Sequence, residues 1–540
     1  MRSDNAAVTI APAPVSAMRP PLSRTLPGVV IERARLDGAA AAVIADARTT
    51  SYAELAERAH RVAAALRGLG VQRGDRVGVL LSNRIEWLEI CLGAGAAGAI
   101  VVPVNTWSKP REIEFILHDA GVRTLFTMPR AGSEDFAAAL RELVPEADGA
   151  PGWRSARLPA LRDLVIVGGP MPGAGWLDYD ALLAAAPAKT RDDSRPEDDA
   201  LILYTSGSTS KPKAVRLAHY GIIENGFNIG ERQGLVTGDR VFAAVPLFWA
   251  YGSANALPAT FTHGAALVLQ ERFEPGAALA LIERHRCTAI YTLPGMTAAL
   301  TGHPDFTPER TASLRTGLTI GNAQDVVNAA TVLGAHAICN IYGSSETYGN
   351  CCVTPHDWPL ERRAACQGPP LPGVELRLGD SGAIEVRGYL MRGYGGQSAV
   401  HNADVFTADG WYRTGDVGAL TADGDIVFHG RTSEMIKRAG INISPAEVED
   451  VLMQHAGVAA AAVVGAPDAA RGEAVVAFVV ASPGVTAAEL IAHCRATAST
   501  YKVPDRIEFR DALPATATGK LLRAPLKLEA RNLCEAADAA

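Results

Sequence analysis

The sequence predicts an α/β protein of doubly wound parallel sheets, divided into more than one domain. Three observations carry this expectation. Helix-like and strand-like periodicity alternate from Ser51 to Val104, a short apolar strand at Leu201–Tyr204 opens into a Gly- and hydroxyl-rich turn, and 540 residues exceed what one core organises.

Taken in order, Ser51 and Glu54 form a capping box, and Leu55, Val62, Leu66 and Leu69 recur at helical spacing until Gly68 and Gly70 end the helix. Asp75–Leu81 reads as a strand, Ile85–Leu92 as a helix and Ala99–Val104 as a strand stopped at Pro103. Such β-α-β alternation calls for helical crossovers between parallel strands. Residues 145–175, rich in Gly, Pro and Ala, are expected to hold a surface loop. The stretches Ala289–Met296 and Leu314–Ala323 read as apolar strands ending in Gly/Pro turns. No internal repeat at a fixed period is found.

Composition excludes several classes. Hydrophobic residues make up 48% and charged residues 20%, as in an ordinary globular protein, and the net charge of −7 offers no basic surface for nucleic acid. Residues 1–26 hold no continuous apolar run, and the stretch around Ala94–Val104 is too short and Gly-rich to span a bilayer, so neither leader nor membrane span is expected. Eight cysteines lie scattered without a C-x-x-C pair, which points to a reducing, cytoplasmic setting.

The chemistry concentrates at Leu201-Ile-Leu-Tyr-Thr-Ser-Gly-Ser-Thr-Ser-Lys-Pro-Lys-Ala-Val215. Gly207 and its small neighbours let backbone N–H groups turn toward an anion, the hydroxyls of Ser206, Ser208 and Thr209 add donors, and Lys211 and Lys213 add charge. The residues suit a phosphate. The Walker pattern G-x-x-x-x-G-K-[ST] is not matched. Further along stand Val245-Pro-Leu-Phe-Trp-Ala-Tyr-Gly252, Gly321-Asn322-Ala323, Asn340-Ile-Tyr-Gly-Ser-Ser-Glu-Thr347, Trp411-Tyr-Arg-Thr-Gly-Asp416, the run from Gly430 to Glu449, and Leu513-Pro-Ala-Thr-Ala-Thr-Gly-Lys520.

In this order, the motifs resemble those of the adenylate-forming (AMP-binding) superfamily, in its acyl-CoA synthetase branch. The resemblance spans roughly residues 30–525. It implies a tail over 1–26, a large AMP-binding domain over 27–432 that includes a β-barrel-like subdomain, and a small mobile domain over 433–540 carrying the catalytic lysine. The loop from Thr205 through Ser210 to Lys213 departs from the family pattern at Ser210 and Ala214, where glycine is usual. If the first position needs φ > 0, serine costs roughly 1 kcal/mol or more there.

By resemblance, Gly321 and Asn322 meet the adenine edge, Tyr342 of the Asn340–Glu346 stretch stacks on adenine, Ser345 touches the α-phosphate and Glu346 holds Mg2+, with Thr205 as a second metal ligand. One carboxylate suits a cation bound mainly to phosphate. Asp416 accepts both ribose hydroxyls, Arg431 reaches ribose or phosphates, and Lys520 is the catalytic lysine. Ser433 stands where relatives hinge. Gly440, with Lys437 and Asn442 nearby, stands where the pantetheine arm of CoA passes.

For the acid, Trp249 provides a flat wall, and Tyr251, Met296 and Tyr348 suggest an apolar or aromatic acyl group. Gly343, where acetate-restricted relatives carry Trp, leaves room for a larger one. No Asp lies between Trp249 and Phe261, which disfavours an amino acid. The resemblance thus implies an ATP-dependent carboxylic acid–CoA ligase with ATP, Mg2+ and CoA as cofactors. Two alternatives stand beside it: an acyl-AMP ligase loading a separate carrier protein, and a nucleotide-binding relative that has lost catalysis. After Arg523 17 residues remain, so no fused carrier domain is expected. Homodimerisation is left open.

Overall fold

The computed structural model describes residues 19–205, 212–432, 434–438, 441–468, 471–498, 502–515 and 521–538. The chain divides into two compact units, one formed by the described residues up to Leu376 with Val386–Tyr412, the other by Arg377–Glu385 with those from Arg413 onward. The expected boundary at 432/433 therefore falls inside the second unit.

The first unit is built on two eight-stranded sheets. In one, the parallel strands Ala337–Tyr342, Thr316–Thr319, Ala289–Tyr291, Arg240–Ala243, Ala266–Leu269 and Ala41–Ala45 run side by side, with short antiparallel strands Cys352–Val353 and Arg48–Ser51 at the edges. In the other, Asp199–Thr205, Ile100–Pro103, Arg76–Leu80, Val122–Thr127, Asp163–Ile166 and Leu177–Asp178 are parallel, and Lys213–Ala218 and Tyr394–Gly395 close one edge antiparallel. The central strands are buried on both faces, as parallel strands under helical crossovers must be.

Local sequence decides many boundaries. Ser51 and Glu54 do form a capping box, and helix Tyr52–Gly68 buries Leu55, Val62 and Leu66 on one face before Gly70 turns the chain at φ 76°. Beside its loops, the stretch 145–175 holds strand Asp163–Ile166, which pairs with Thr124–Thr127. One expectation is corrected. The apolar run Ala289–Met296 ends as a strand at Tyr291, because Pro294, whose fixed φ suits a first helical turn, starts helix Pro294–Thr301 with Met296 on it.

The N-terminal helix Leu26–Asp37 is tied to this unit through His219, whose buried Nδ1 accepts the Leu26 N–H at 3.3 Å. Burial pushes the His219 imidazole down to about 3, and its place in the first turn of helix His219–Gln233 also disfavours positive charge. The folded-state value lies below that of the unfolded chain, so the unfolded state binds the extra proton as pH falls below about 6.5. Stability should drop by up to about 1.4 kcal/mol per pH unit between about pH 6.5 and 3 on this account. In pH-dependent denaturation, His219→Gln should flatten that slope; an identical slope would assign the acid sensitivity elsewhere.

In the second unit, Glu375–Leu378, Ala383–Arg387, Tyr412–Leu420 and Ile426–Arg431 form a four-stranded sheet in that order. A five-stranded sheet follows, with Val458–Asp468 and Gly472–Ala481 as its long hairpin. Val463 and Val475 face one apolar cluster with Leu452 and Leu490, while Val464 and Val476 face another with Leu526 and Ala530. Period-2 alternation thus fills two cores from one sheet. The eight cysteines are free thiols, seven of them buried.

Candidate active site

The strand that precedes the hydroxyl-rich turn, Asp199–Thr205, ends at Thr205, directly opposite Lys213 on the returning antiparallel strand. Ser206, Gly207, Ser208, Thr209, Ser210 and Lys211 lie outside the described residues. The strand end is held rigidly: the Tyr204 hydroxyl donates to Asp119 at 2.7 Å, and the other Asp119 oxygen accepts the Gln397 N–H at 2.8 Å. A loop leaving such an anchor at the carboxyl end of a parallel strand is where ligands bind in open α/β sheets.

Glu346 arrives from the other sheet, on the 3-10 turn Ser345–Thr347 that follows strand Ala337–Tyr342. Its Oε1 accepts the Tyr394 hydroxyl at 2.9 Å, and its backbone carbonyl accepts the Met391 N–H at 2.7 Å. Lys213 Nζ stands 5.2 Å from the centroid of the same Tyr394 ring. Lys213 and Glu346, distant in sequence, are therefore gathered around one tyrosine. No sequence motif singled out Tyr394; its backbone pairing with Val215 could only be seen once strands were placed.

An aromatic group lies on the loops of the same unit. Trp249, partly buried, packs edge-on to Trp107 at 5.4 Å and to Phe248 at 6.0 Å, and Trp107 meets Phe248 at 5.1 Å. Trp107 is 41% exposed, which is unusual for an indole unless a partner covers it. The sequence pointed to Trp249 but missed Trp107.

Several expected contacts are otherwise engaged. Asn340 is fully buried and spends its amide within the protein, Nδ2 donating to the Cys366 carbonyl and Oδ1 accepting the Ile341 N–H, so it holds strand ends rather than a nucleotide. Tyr348, also fully buried, takes a left-handed φ of 57°, and its hydroxyl accepts the Ala218 N–H; it anchors a core turn and lines no open site. Tyr251 donates its hydroxyl to the Leu318 carbonyl at 2.9 Å from within the π-helical turn Tyr251–Ala256. Met296 packs against the core cluster around Leu279 and Leu300. Asn322 caps helix Ala323–Thr331 in a reciprocal pair with Asp325, and Gly321 is needed there because a Cβ would meet Asp325 Oδ2 at 2.4 Å.

Gly343 is corrected too. A Cβ there would stand 2.5 Å from the Gly349 carbonyl oxygen and 2.6 Å from Asn350 Cα, so this glycine answers to a close backbone approach and not to room for an acyl chain.

In the second unit, Asp416 and Arg431 face each other across antiparallel strands, Arg431 Nε 3.1 Å from Asp416 Oδ1. Asp416 is buried and Arg431 half-exposed, which orients the carboxylate through its partner. Lys437 is exposed and pairs with Asn442 between short antiparallel strands. Ser433, Gly440 and Lys520 lie outside the described residues.

Among the described residues no cluster of three or more His, Cys, Asp or Glu could hold a metal by itself. Glu346 nonetheless fits a phosphate-borne Mg2+: one oxygen is fixed by Tyr394, and the Lys213 ammonium at the same ring suits phosphate oxygens.

A two-sheet α/β unit and a separate smaller unit are the architecture expected of an adenylate-forming enzyme. The family described as AMP-binding enzyme matches residues 31–396, and its C-terminal domain matches residues 447–520. A Mycobacterium tuberculosis protein, 3-[(3aS,4S,7aS)-7a-methyl-1,5-dioxo-octahydro-1H-inden-4-yl]propanoyl:CoA ligase, is 34% identical over 93% of this chain and 98% of its own. A feruloyl-CoA synthase from an Amycolatopsis species is 33% identical over 92% and 97%. The crystal structure of an anthranilate CoA ligase in complex with anthranoyl-AMP superposes with a TM-score of 0.83 at 28% identity, covering 95% of this chain and 99% of that one. The chain belongs to the AMP-binding enzyme family, and it is an AMP-forming acid–thiol ligase that uses ATP, Mg2+ and CoA. Among the described residues no helix is long and apolar enough to cross a membrane.

Proposed function

We propose that the protein activates an apolar acid, aromatic or medium-chain, and transfers it to CoA. The observation that carries this is the gathering of Lys213 and Glu346 around Tyr394, with Thr205 opposite Lys213 at the strand end. It provides an ammonium and a carboxylate where a nucleoside triphosphate needs them.

A carboxylate resists attack at carbon because its own charge opposes the nucleophile. Here its oxygen attacks the α-phosphorus of ATP, pyrophosphate leaves, and the acid becomes a mixed anhydride with AMP. The chain's part is alignment and charge neutralisation: Lys213 and Lys520 face phosphoryl oxygens, and Glu346 holds the cation that Lys213 alone cannot replace. Bound there, Mg2+ supplies charge neutralisation on the phosphate oxygens. In the second half-reaction the CoA thiol attacks the acyl carbon and AMP leaves. The small domain is proposed to turn about Ser433 between the two steps, withdrawing Lys520 and presenting Gly440, Lys437 and Asn442 to the pantetheine arm. Asp416 and Arg431 are assigned to the ribose.

The acid class rests on the aromatic group at Trp107, Phe248 and Trp249. The relatives named for feruloyl and anthranilate substrates agree with an aromatic acid. Trp107→Ala should raise the KM for an aromatic acid roughly three- to tenfold with the KM for ATP unchanged. Equal KM values for the acid in both proteins would remove Trp107 from the acyl site.

The deciding experiment is pyrophosphate release from ATP across a panel of carboxylic acids, with and without CoA, beside a Lys520→Ala control. Acid-dependent release that turns over only with CoA establishes the proposal and names the acid. A single stoichiometric burst indifferent to CoA would point to a carrier protein as acceptor, and silence with every acid would return the chain to a nucleotide-binding role. A cytoplasmic location is part of the proposal, in keeping with eight free thiols.

A further inference from the structure

We propose that Tyr394 is a positioning residue for the metal-phosphate end of the site, setting the Glu346 carboxylate with its hydroxyl and the Lys213 ammonium with its ring. The proposal rests on the nucleotide-site reading above and adds to it a residue that no motif identified.

The direction of cause can be read from what holds Tyr394. Its backbone pairs with Val215, its N–H donates to Asn402 Oδ1 at 2.7 Å, and its carbonyl accepts from Asn402 Nδ2 at 3.1 Å. Ser398 ties the same segment to the Lys213 strand, accepting the Ala214 N–H at 3.0 Å and donating to the Gly395 carbonyl at 2.7 Å. The ring is 3% exposed. Tyr394 is thus fixed without its hydroxyl, and the hydrogen bond to Glu346 serves Glu346. That residue has its backbone secured by Met391 but carries three side-chain torsions on a short turn. Left alone, such a side chain loses rotamer freedom when a cation captures it.

The hydroxyl takes Oε1, and among the described residues no donor is paired with Oε2. A carboxylate held by one oxygen presents the other in a set direction, as the hydrogen-bonded carboxylate ligands of metals do. The ring face toward Lys213 adds a second effect. At 5.2 Å from the centroid, the ammonium is attracted by the aromatic quadrupole yet keeps its three N–H donors for phosphate oxygens. One side chain thereby sets the spacing between the positive and negative groups that grip the same phosphates.

Tyr394→Phe separates the two roles, because it removes the hydroxyl and retains the ring. The full chain would be titrated calorimetrically with AMP without metal, and with Mg2+ and a non-hydrolysable α,β-methylene analogue of ATP; Mn2+ binding to the analogue complex would be followed by electron paramagnetic resonance. The expected result is about tenfold weaker binding of the metal-analogue complex and of Mn2+, with AMP affinity within twofold. Tyr394→Leu should weaken binding of the metal-free analogue as well, since Lys213 loses its ring. Equal weakening of AMP and metal-analogue binding in Tyr394→Phe, with a fall in melting temperature, would show a merely structural tyrosine and overturn the proposal. Unchanged binding of both would overturn it too. A wild-type chain that binds neither ligand would remove the nucleotide-site reading itself, and this proposal with it.

Discussion

Glu346→Gln is expected to slow acid-dependent pyrophosphate release by roughly 100- to 1,000-fold, the scale on which single electrostatic groups act at charged transition states. The amide keeps the shape of the side chain and can still accept the Tyr394 hydroxyl through its oxygen. What it loses is the charge proposed to hold a divalent cation against the phosphates. AMP binding without metal should survive, which separates this effect from a collapse of the turn Ser345–Thr347. ATP–pyrophosphate exchange measured at saturating ATP and acid decides the matter. A rate within threefold of wild type would take Glu346 out of the metal site. Lys520→Ala should impair the same step as severely, because the reaction places negative charge on the α-phosphoryl oxygens that this lysine is assigned to meet.

The second large effect concerns folding. Gly343→Ala should destabilise the first unit by about 2–3 kcal/mol, the cost of forcing atoms into a packed region, and lower activity toward every acid alike. The new Cβ would meet the Gly349 carbonyl oxygen, Asn350 Cα and, at 2.8 Å, Cys351 N. None of these is the end of a flexible side chain. The turn is tied by Gly349 N–H to the Ser344 carbonyl and Cys351 N–H to the Tyr342 carbonyl, and the buried Tyr348 pins its middle. It cannot move aside cheaply. Thermal unfolding of the variant should show a drop of several degrees. A stable protein whose acid preference shifts toward shorter acids would restore the reading of Gly343 as the floor of an acyl pocket.

That contrast shows how far a motif can be read. The position of Gly343 was correctly marked by the residues around it, but the reason for a glycine there depends on where the chain returns six to eight residues later. Tyr348 and Asn340 make the same point. Their side chains are of the kinds that touch ligands, and they lie within a site motif. The fold turns both inward, because strand Ala337–Tyr342 alternates its faces and the left-handed residue at 348 reverses the chain into the core.

Features carried by neighbouring residues were legible beforehand. The capping box at Ser51 and Glu54, the buried strand through Leu201–Tyr204, the end of strand Ile100–Pro103 and the alternation of parallel strands with helices all rest on hydrogen bonds or periodicities a few residues long. By itself, then, the sequence determined the fold class, the reaction class and which motifs bear charge. Only the tertiary structure decided that Tyr394 joins Glu346 to Lys213, that Trp107 stands edge-on to Trp249, and that Asp416 meets Arg431 across a strand pair. Those contacts lie far apart along the chain, 48 residues in the case of Tyr394 and Glu346. No local propensity encodes them; they exist because sheet register and buried loops bring separate strand ends to one place.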